Sequence, residues 1–504
     1  MRDAEMAAGL AWAIKGLKYP HEELTRTWKT VCKNQFHDVI PGTSVTDVYK
    51  DTAVDYARIA DTGVKIRTAG LEKLGGKTAE AETIRVFNSL SWTRSDALRV
   101  PVPGKAKSWH AETEDGRPLP AQPAADDPSM LWVQPDSVPG IGLSNIKLVK
   151  GAPKDSSSIK VAENGLENDL YRIKLDKGGA ITSIFDKKAK REVLPKGQKA
   201  NVLQIFEDKP LAFDAWDIDF YYRDKGTDIT DAAEIKVEDA GPVRGALKIV
   251  RKFGSSTVEQ RIVLWASSPR IDFETRVDWH ENRKMLKVAF PVDVHANSAR
   301  FEIQYGSVDR PNHWNTSWDF ARVEVAAQKW VDMSQSDYGV SLMNDCKYGH
   351  DVHENVLRLT LLRSPKEPDP TADMGEHLFT YSLMPHQGDW RDAETVRRAY
   401  ELNVPMIAWA TDGKPAASGA MLSLDALNVV IDAVKKAERE DALVVRMYEC
   451  HGIGAECRLD LGFKVGNASE CDLLERDQTK LKLDGSSLSL SLRPFEIKTV
   501  KLSR

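Results

Sequence analysis

The stretches VEQRIVLWA (258–266) and IDFETRVDW (271–279) carry the clearest structural signal in this chain. Both alternate apolar and polar residues, a pattern that predicts β-strands with one face in water. Similar segments recur and are separated by Gly, Pro, Asp and Asn, which favours antiparallel β-sandwiches. They include TIRVFNSLSW (83–92), ALRVPVP (97–103), LYRIKLD (170–176), KMLKVAFPVDV (284–294) and VLRLTLLRSP (356–365). Asp176–Gly179 is predicted to form a hairpin turn.

The first 74 residues have helical periodicity instead. In HEELTRTWKTVCKNQF (21–36), the apolar positions Leu24, Trp28 and Val31 fall on one helical face. A first helix precedes Pro20 and a third follows Pro41–Gly42, since proline and glycine interrupt helices. Three helices with short turns favour a small antiparallel bundle that docks on a larger body.

These patterns predict an α+β multidomain fold in which an N-terminal three-helix bundle is followed by antiparallel β-sandwich domains. The predicted domains are the bundle (1–76), a small β domain with a connection (77–150), a large β-sandwich (151–403) and a C-terminal β-sandwich (404–504). In the last of these, NVVIDAVKKA (428–437) and ALVVRMYEC (442–450) continue the strand pattern.

Composition excludes several classes of function. The 504 residues include 70 Lys and Arg against 75 Asp and Glu, so the net charge of −5 argues against a nucleic-acid binder. No apolar run is long enough to cross a bilayer, and the first residues lack the basic region of a signal peptide. The five cysteines are few, odd in number and scattered, which favours a reducing, cytoplasmic compartment.

The sharpest candidate site is NQFHDVIPG (34–42), at the end of the second predicted helix. A neutral imidazole such as that of His37 is a good zinc ligand, and the carboxylate of Asp38 can bind sugar hydroxyls or orient a ligand. The alternative is a helix-capping or surface feature, because histidine is favourable at a helix C-terminus. Zinc also needs three or four protein ligands, so further ligands have to come from elsewhere.

Two other segments combine polar and aromatic side chains. FDAWDIDFYY (213–222), which contains Asp217, suits carbohydrate because aromatic rings stack on sugars and carboxylates accept bonds from hydroxyls; an edge strand is the competing interpretation. NDCKYG (344–349), which contains Lys347 and Tyr348, reads as a polar turn after a strand. The long loop PKEPDPTADMGEH (365–377) is unusual in a compact domain and therefore a candidate for function.

The remaining histidines give a weaker signal. His350 and His353 are three residues apart, and His377 and His386 flank the predicted strand LFTYSLMP (378–385). Neither set has the HExxH spacing of a zinc-binding helix. We expect loop histidines that bind backbone groups. No GxSxG, P-loop or Rossmann motif is present, which counts against serine hydrolases, P-loop enzymes and dehydrogenases.

The segment NQFHDVIPGTSVTDVYKD (34–51) strongly resembles the part of class II α-mannosidases, glycoside hydrolase family 38, that follows the catalytic barrel. The resemblance continues in the family's order over nearly the whole chain, and it is greatest to the cytosolic and bacterial type. It is carried by VFNSLSW (86–92), LENDLYRIKLDKGGAITSIFDKKAKREVL (166–194), FDAWDIDFYY (213–222), NTSWDFARVEV (315–325), VSLMNDCKYG (340–349), LLRSPKEPDPTADMGEHLFTYSLMPH (361–386) and NVVIDAVKKAE (428–438).

The resemblance implies a retaining glycosidase that hydrolyses terminal α-linked mannose from oligosaccharides with the help of a divalent metal, usually zinc and in some cytosolic forms cobalt. His37 matches the last histidine of the family's metal site, and Asp38 matches the residue that holds substrate hydroxyls. Retention of configuration normally needs two carboxyl groups roughly 5–5.5 Å apart.

The sequence departs from the family because the N-terminal barrel, with the other metal ligands, the nucleophile and the acid/base, has no counterpart in it. We therefore expect the C-terminal portion of such an enzyme, with no catalytic residue of its own, inactive without the barrel as its partner. Asp217, Lys347 and Tyr348 are further candidates for substrate binding, and a homo-oligomer stays open. The alternatives are a non-catalytic carbohydrate-binding β module and a structural fragment without activity.

Overall fold

The computed structural model describes residues 1–104, 108–151, 158–412 and 418–503. The chain forms two compact units. The first unit contains residues 1–36, 51–155 and 404–504, and the second contains residues 37–50 and 156–403. Helices at the N-terminus are followed by antiparallel sheets, so the predicted fold class is confirmed. The predicted domain boundaries stay predictions.

The first three helices are α1 (Arg2–Lys15), α2 (His21–Asn34) and α3 (Thr46–Gly75). α1 ends at Gly16, whose φ of 66° is the left-handed conformation that terminates many helices. Ala4 and Ala8 of α1, Leu24 of α2 and Ile66 of α3 form one buried cluster, which makes these helices a bundle. None of the helices in the described ranges is long and apolar enough to cross a membrane.

The next part of the first unit consists of short strands. Strands β1 and β7 pair along their length, and Ile84 and Ile146 are buried between this sheet and the smaller sheet β2–β6–β5. The strands are β1 (Thr83–Asn88), β2 (Leu98–Pro101), β3 (Trp109–Glu112), β4 (Pro118–Leu119), β5 (Ala121–Pro123), β6 (Met130–Val133) and β7 (Gly142–Lys150).

The second unit is a large β-sandwich. Its strands are β8 (Lys160–Ala162), β9 (Gly165–Glu167), β10 (Tyr171–Leu175), β11 (Ile181–Asp186), β12 (Arg191–Glu192), β13 (Val202–Glu207), β14 (Gly226–Ile229), β15 (Glu234–Ala240), β16 (Arg244–Phe253), β17 (Ser256–Trp265), β18 (Ile271–Trp279), β19 (Lys284–Pro291), β20 (Ser298–Ile303), β21 (Gly306–Pro311), β22 (Val325–Ala326), β23 (Trp330–Ser334), β24 (Tyr338–Asn344), β25 (Gly349–His353), β26 (Val356–Arg363) and β27 (Gly375–Gln387). A 3₁₀ helix (Phe220–Lys225), α4 (Ser317–Ala321) and α5 (Thr395–Asn403) connect or flank them.

Three sheets build this unit. The nine-stranded sheet has the order β15–β16–β17–β18–β27–β24–β23–β20–β21, the six-stranded sheet β14–β13–β19–β26–β25–β22 and the five-stranded sheet β12–β11–β10–β9–β8. Phe273 of the first sheet and Phe290 of the second are buried with ring centroids 5.5 Å apart, so the core lies between these sheets. The predicted hairpin at Asp176–Gly179 joins β10 to β11, and Gly179 has a φ of 75°.

The C-terminal part of the first unit is a smaller sandwich. Leu459 and Leu490 of the sheet β30–β33–β36 share one buried cluster with Val445 and Val500 of the sheet β31–β32–β37–β34–β35. Leu10 of α1 belongs to the same cluster, so the helical segment does pack on a larger body. The strands are β28 (Ile407–Ala410), β29 (Gly419–Ala420), β30 (Leu422–Leu424), β31 (Val429–Lys436), β32 (Ala442–Glu449), β33 (Ala455–Leu461), β34 (Asn467–Cys471), β35 (Asp477–Leu481), β36 (Ser487–Leu492) and β37 (Ile497–Ser503).

The close approach of α1 and α3 is testable with a pair of glycines on α3. A Cβ atom at Gly70 would lie 2.7 Å from the backbone carbon of Ala7, whereas a Cβ at Gly63 would lie 3.6 Å from Met1 Sδ. Gly70→Ala should therefore lower the free energy of unfolding by about 1–3 kcal/mol through overpacking. Gly63→Ala should leave it unchanged or raise it by up to about 1 kcal/mol, because alanine is the better helix former. Urea unfolding followed by circular dichroism measures both, and equal effects of the two substitutions would contradict the close helix contact.

Candidate functional site

His37 lies on the turn that follows α2. Its side chain is 77% exposed, and Nε2 lies 3.1 Å from Asp38 Oδ2. Asp38 Oδ1 accepts a hydrogen bond of 3.1 Å from the hydroxyl of Thr43. The hydroxyl of Tyr49 donates to the carbonyl of Asp38 at 3.3 Å and accepts from the backbone N–H of Ser44 at 2.8 Å. The turn is therefore locked by its own residues while the imidazole faces solvent.

A hydrogen bond between side chains anchors this segment to a loop of the large sandwich. The hydroxyl of Thr46 donates to Asp369 Oδ1 at 2.6 Å, and Thr371 donates to the same oxygen from its backbone N–H and its hydroxyl. Burial opposes ionisation of Asp369, but these hydrogen bonds outweigh it and lower the pKa of the carboxyl group. Asp369 belongs to the long loop between β26 and β27, which the sequence marked as a candidate for function.

The same long loop is attached to the loop that follows β13 and contains Asp217. The backbone N–H of Lys366 donates to the carboxylate of Asp214. The guanidinium of Arg363 donates to the carbonyls of Asp214 (2.9 Å), Ala215 (3.0 Å) and Asp217. Hydrogen bonds thus connect three separate segments, residues 37–50, 208–219 and 364–374, and bring the surroundings of Asp38 and Asp217 into one network.

The predicted alternative of an edge strand for residues 213–222 is wrong. The segment is a loop followed by the 3₁₀ helix, because backbone carbonyls that a strand would pair with a neighbour are bound by Arg363 instead. Asp217 is exposed. Phe213 and Trp216 are 70% and 50% exposed, so the tethered loop presents aromatic rings and a carboxylate to solvent.

Lys347 and Tyr348 lie in the turn between β24 and β25, as the polar-turn interpretation predicts. The backbone N–H of Lys347 donates to Asn344 Oδ1 at 2.8 Å, and its Nζ lies 4.6 Å from the ring centroid of Phe379. Tyr348 is 49% exposed. Strand pairing places this turn at the end of the sandwich where β13 and β26 finish. Glu207, at the end of β13, pairs with Lys284, at the start of β19, and the start of β19 lies beside the end of β26. Because β25 runs antiparallel to β26, the turn before β25 lies at this end as well.

The structure corrects the predicted location of these histidines, although His350 and His377 do contact backbone carbonyls, as expected. His350 and His353 lie on β25, and His377 and His386 both lie within β27 rather than beside it. His350 is fully buried, its Nδ1 lies 3.2 Å from the carbonyl of Tyr348, and burial lowers its pKa to about 4. His386 Nε2 lies 2.8 Å from the buried carboxylate of Asp332. These two histidines are parts of the core.

The residues around His37 and Asp38 do not complete the predicted metal site. Over residues 1–104, 108–151, 158–412 and 418–503, no three or more His, Cys, Asp or Glu side chains are grouped so that they could hold a metal ion. Zinc takes three or four protein ligands, whereas the exposed imidazole of His37 and the neighbouring carboxylate of Asp38 provide at most two. These residues suit a contribution to a site, and they do not form one by themselves.

Three residues that hold the site together were not found from the sequence: Arg363, Thr46 and Asp369. The length of the loop at 365–377 pointed to the neighbourhood of Asp369 only. Nothing in the pattern around Arg363 or Thr46 distinguishes them from ordinary strand and helix residues, because their partners lie far away in the chain.

Three family models match the chain. Residues 1–74 match the alpha mannosidase middle domain, residues 166–371 the glycosyl hydrolases family 38 C-terminal domain, and residues 428–500 the family 38 C-terminal beta sandwich domain. These domains define part of a glycoside hydrolase. The chain belongs to glycosyl hydrolase family 38, whose resemblance the sequence motifs had indicated.

Similar proteins give the same assignment. Human alpha-mannosidase 2C1 is 36% identical over 511 residues, which cover 100% of this chain and 48% of the human protein. The alpha-mannosidase of Saccharomyces cerevisiae is 28% identical over 96% of this chain and 44% of its own length. The crystal structure of an alpha-mannosidase from Enterococcus faecalis has the same fold, with a TM-score of 0.82 and 19% identity over 99% of this chain and 65% of that one. The chain spans about half the length of the curated relatives it matches.

Buried His350 predicts an acid-sensitive fold. Its pKa is about 4 in the folded chain, below the ordinary value near 6.5 that we expect after unfolding. Between these values the unfolded chain binds a proton and the folded chain does not, so stability falls as the pH falls from about 6.5 to 4, by up to about 3 kcal/mol. Comparison of urea midpoints across this range should show a shallower decline for His350→Gln than for the parent.

The matched control is His280→Gln, because the side chain of His280 is 47% exposed. This substitution should keep the slope of the parent protein. An identical slope in all three proteins would show that His350 does not govern the acid response.

Proposed function

We propose that this chain is the C-terminal portion of a metal-dependent, retaining α-mannosidase that removes terminal α-linked mannose from oligosaccharides. The observation that carries the proposal is the solvent-facing His37–Asp38 pair, held by loops of the domain that matches the family model. The names of the relatives, all of them longer than this chain, support the substrate class.

In this proposal His37 contributes one ligand to a divalent metal, zinc or alternatively cobalt, and Asp38 binds hydroxyl groups of the mannose. An imidazole ligand has to be accessible and neutral, and the 77% exposure of His37 supports the first requirement. The remaining ligands, the nucleophile and the acid/base would come from an N-terminal barrel. A metal bound there would supply a positive charge next to the sugar hydroxyls.

Besides Asp38, we propose three further substrate-binding residues: Asp217, Lys347 and Tyr348. Asp217 is supported by its tethered loop, which the bonds to Arg363 attach to the loop that also binds Thr46. Lys347 and Tyr348 are supported by their position at the end of the sandwich where β13 and β26 finish.

Exposed apolar side chains at the same end support a covering partner, which we propose to be the barrel. Ile40 and Val45 are 57% and 52% exposed, and Leu211 is 90% exposed. Large apolar side chains that are exposed at one end of a domain suit an interaction surface. We also propose a cytoplasmic location, which is supported by the five cysteines being free thiols. A homo-oligomer stays a prediction.

The purified chain should not release nitrophenol from nitrophenyl α-mannoside, with or without added zinc or cobalt. Our reason is that both carboxyl groups needed for a retaining reaction belong to the barrel in this proposal. A full-length family member assayed in parallel is the positive control. Turnover by the purified chain would refute the assignment of the catalytic groups to a partner.

The role of the His37–Asp38 pair can be tested after the chain is joined to the N-terminal half of a full-length relative. His37→Ala should lose bound metal and lower kcat/KM by more than about a hundredfold. Asp38→Asn should retain the metal and lower kcat/KM about ten- to a hundredfold, as expected for a charged hydrogen bond to substrate.

Asp47→Asn is the matched control for this experiment, because the side chain of Asp47 is 88% exposed and pairs with Lys50 at the surface. Its activity and metal content should equal those of the parent. If His37→Ala kept both metal and activity, the pair would be a surface turn without a catalytic role.

A further inference from the structure

The C-terminal sandwich carries a cleft of about 730 Å³ on the outer face of the sheet β31–β32–β37–β34–β35. Its floor contains Arg446 and Lys501, and its walls are the turns 437–441 and 472–476. The backbone N–H of Glu438 in one turn donates to Glu475 in the other at 2.7 Å. Lys435 lies 3.1 Å from the same carboxylate, so the walls are already joined and the cleft is preformed.

The charges that line the cleft nearly balance, with five cations against four carboxylates. The cations are Lys435, Arg439, Arg446, Arg476 and Lys501. The lining carboxylates are those of Glu438, Glu440, Glu475 and Asp477, and Asp472 pairs with Arg476 at 2.7 Å. A cleft with so small a net charge has at most a weak long-range preference for an anion over a cation.

The cleft nevertheless offers hydrogen-bonding groups of both kinds. Lys501 has a side chain only 3% exposed and binds one oxygen each of Glu440 (2.9 Å) and Asp477 (3.0 Å). Both carboxylates are more than half exposed, so their second oxygens can accept bonds from a ligand.

Arg446 supplies the donors. It donates to Thr499 Oγ1 at 3.2 Å and to the carbonyl of Leu473 at 3.4 Å, and in the part of the chain that the structure describes it has no ion-pair partner. A guanidinium has five N–H donors, which leaves donors for a ligand.

These features select one class of ligand. A hydroxyl group both donates and accepts, so a polyhydroxylated molecule without charge satisfies carboxylates and guanidinium together. Leu473 and Leu474 at the rim are 59% and 73% exposed and can cover the apolar C–H face of a sugar ring. We propose that this cleft is a binding site for a neutral oligosaccharide. It lies in the first unit and uses none of the residues assigned to the mannosidase function, so either proposal can fail alone.

The test uses the full chain, an α-linked mannotriose as the neutral probe and inorganic phosphate as the anionic probe. Methyl resonances of Leu473 and Leu474 should shift with millimolar mannotriose and stay unchanged with phosphate. Arg446→Met should weaken the binding measured by these shifts about tenfold, as expected for loss of a charged hydrogen bond. Asp477→Asn provides a second variant should Arg446→Met fail to fold, and the same loss is expected.

Arg458→Met is the matched control, because Arg458 belongs to the same sandwich, has a side chain 56% exposed and pairs with Asp460 outside the cleft. This variant and His37→Ala should both bind as the parent does. The proposal is overturned if mannotriose leaves the leucine methyls unshifted, if phosphate alone shifts them, or if Arg458→Met weakens binding as much as Arg446→Met.

Discussion

The candidate site depends on the hydrogen bonds and the ion pair that the guanidinium of Arg363 forms. It forms an ion pair with Asp208, whose side chain is only 2% exposed, and donates to carbonyls of the loop that contains Asp217. Backbone carbonyls away from a sheet need another donor, and a planar group with several fixed N–H bonds can serve many of them at once. An ammonium group is a compact point charge and cannot reach such a spread of acceptors. The loop is therefore ordered without belonging to any strand.

Hydrogen bonds of the loop that follows Arg363 also hold residues 37–50, the segment after α2 that includes the first turn of α3. The long loop that begins just after Arg363 binds Asp214 on one side and Thr46 on the other, so residues 37–50 are placed by a chain of short polar contacts. Functional residues often lie on loops that a rigid scaffold positions, and here the scaffold is the sandwich core around Phe273 and Phe290. The proposed mannosidase function requires such placement, because a ligand to a shared metal has to be presented at a fixed position.

Most regular elements could be predicted because their signals are local. The apolar positions of α2 recur with the helical period, and the strands around 258–279 alternate with period two, so neighbours within a few residues determine them. The alternative of an edge strand for residues 213–222 was wrong because Arg363 of β26 binds the backbone carbonyls of this loop, and no local pattern shows that contact. The loop histidines were misplaced for a similar reason: His350 is a strand residue whose burial follows from the sheets packed around it.

The sequence alone determined the fold class, the family and the candidate pair His37–Asp38, since helical and strand periods and contiguous motifs are properties of neighbouring residues. The tertiary structure decided which distant groups meet. Thr46 and Asp369 are 323 positions apart, and Arg363 and Asp217 are 146 apart. The ion pair between Lys435 and Glu475 in the cleft likewise joins strand β31 to a separate turn. Such contacts arise only when sheets and loops pack, because no local pattern in a chain encodes the partner of a single polar side chain.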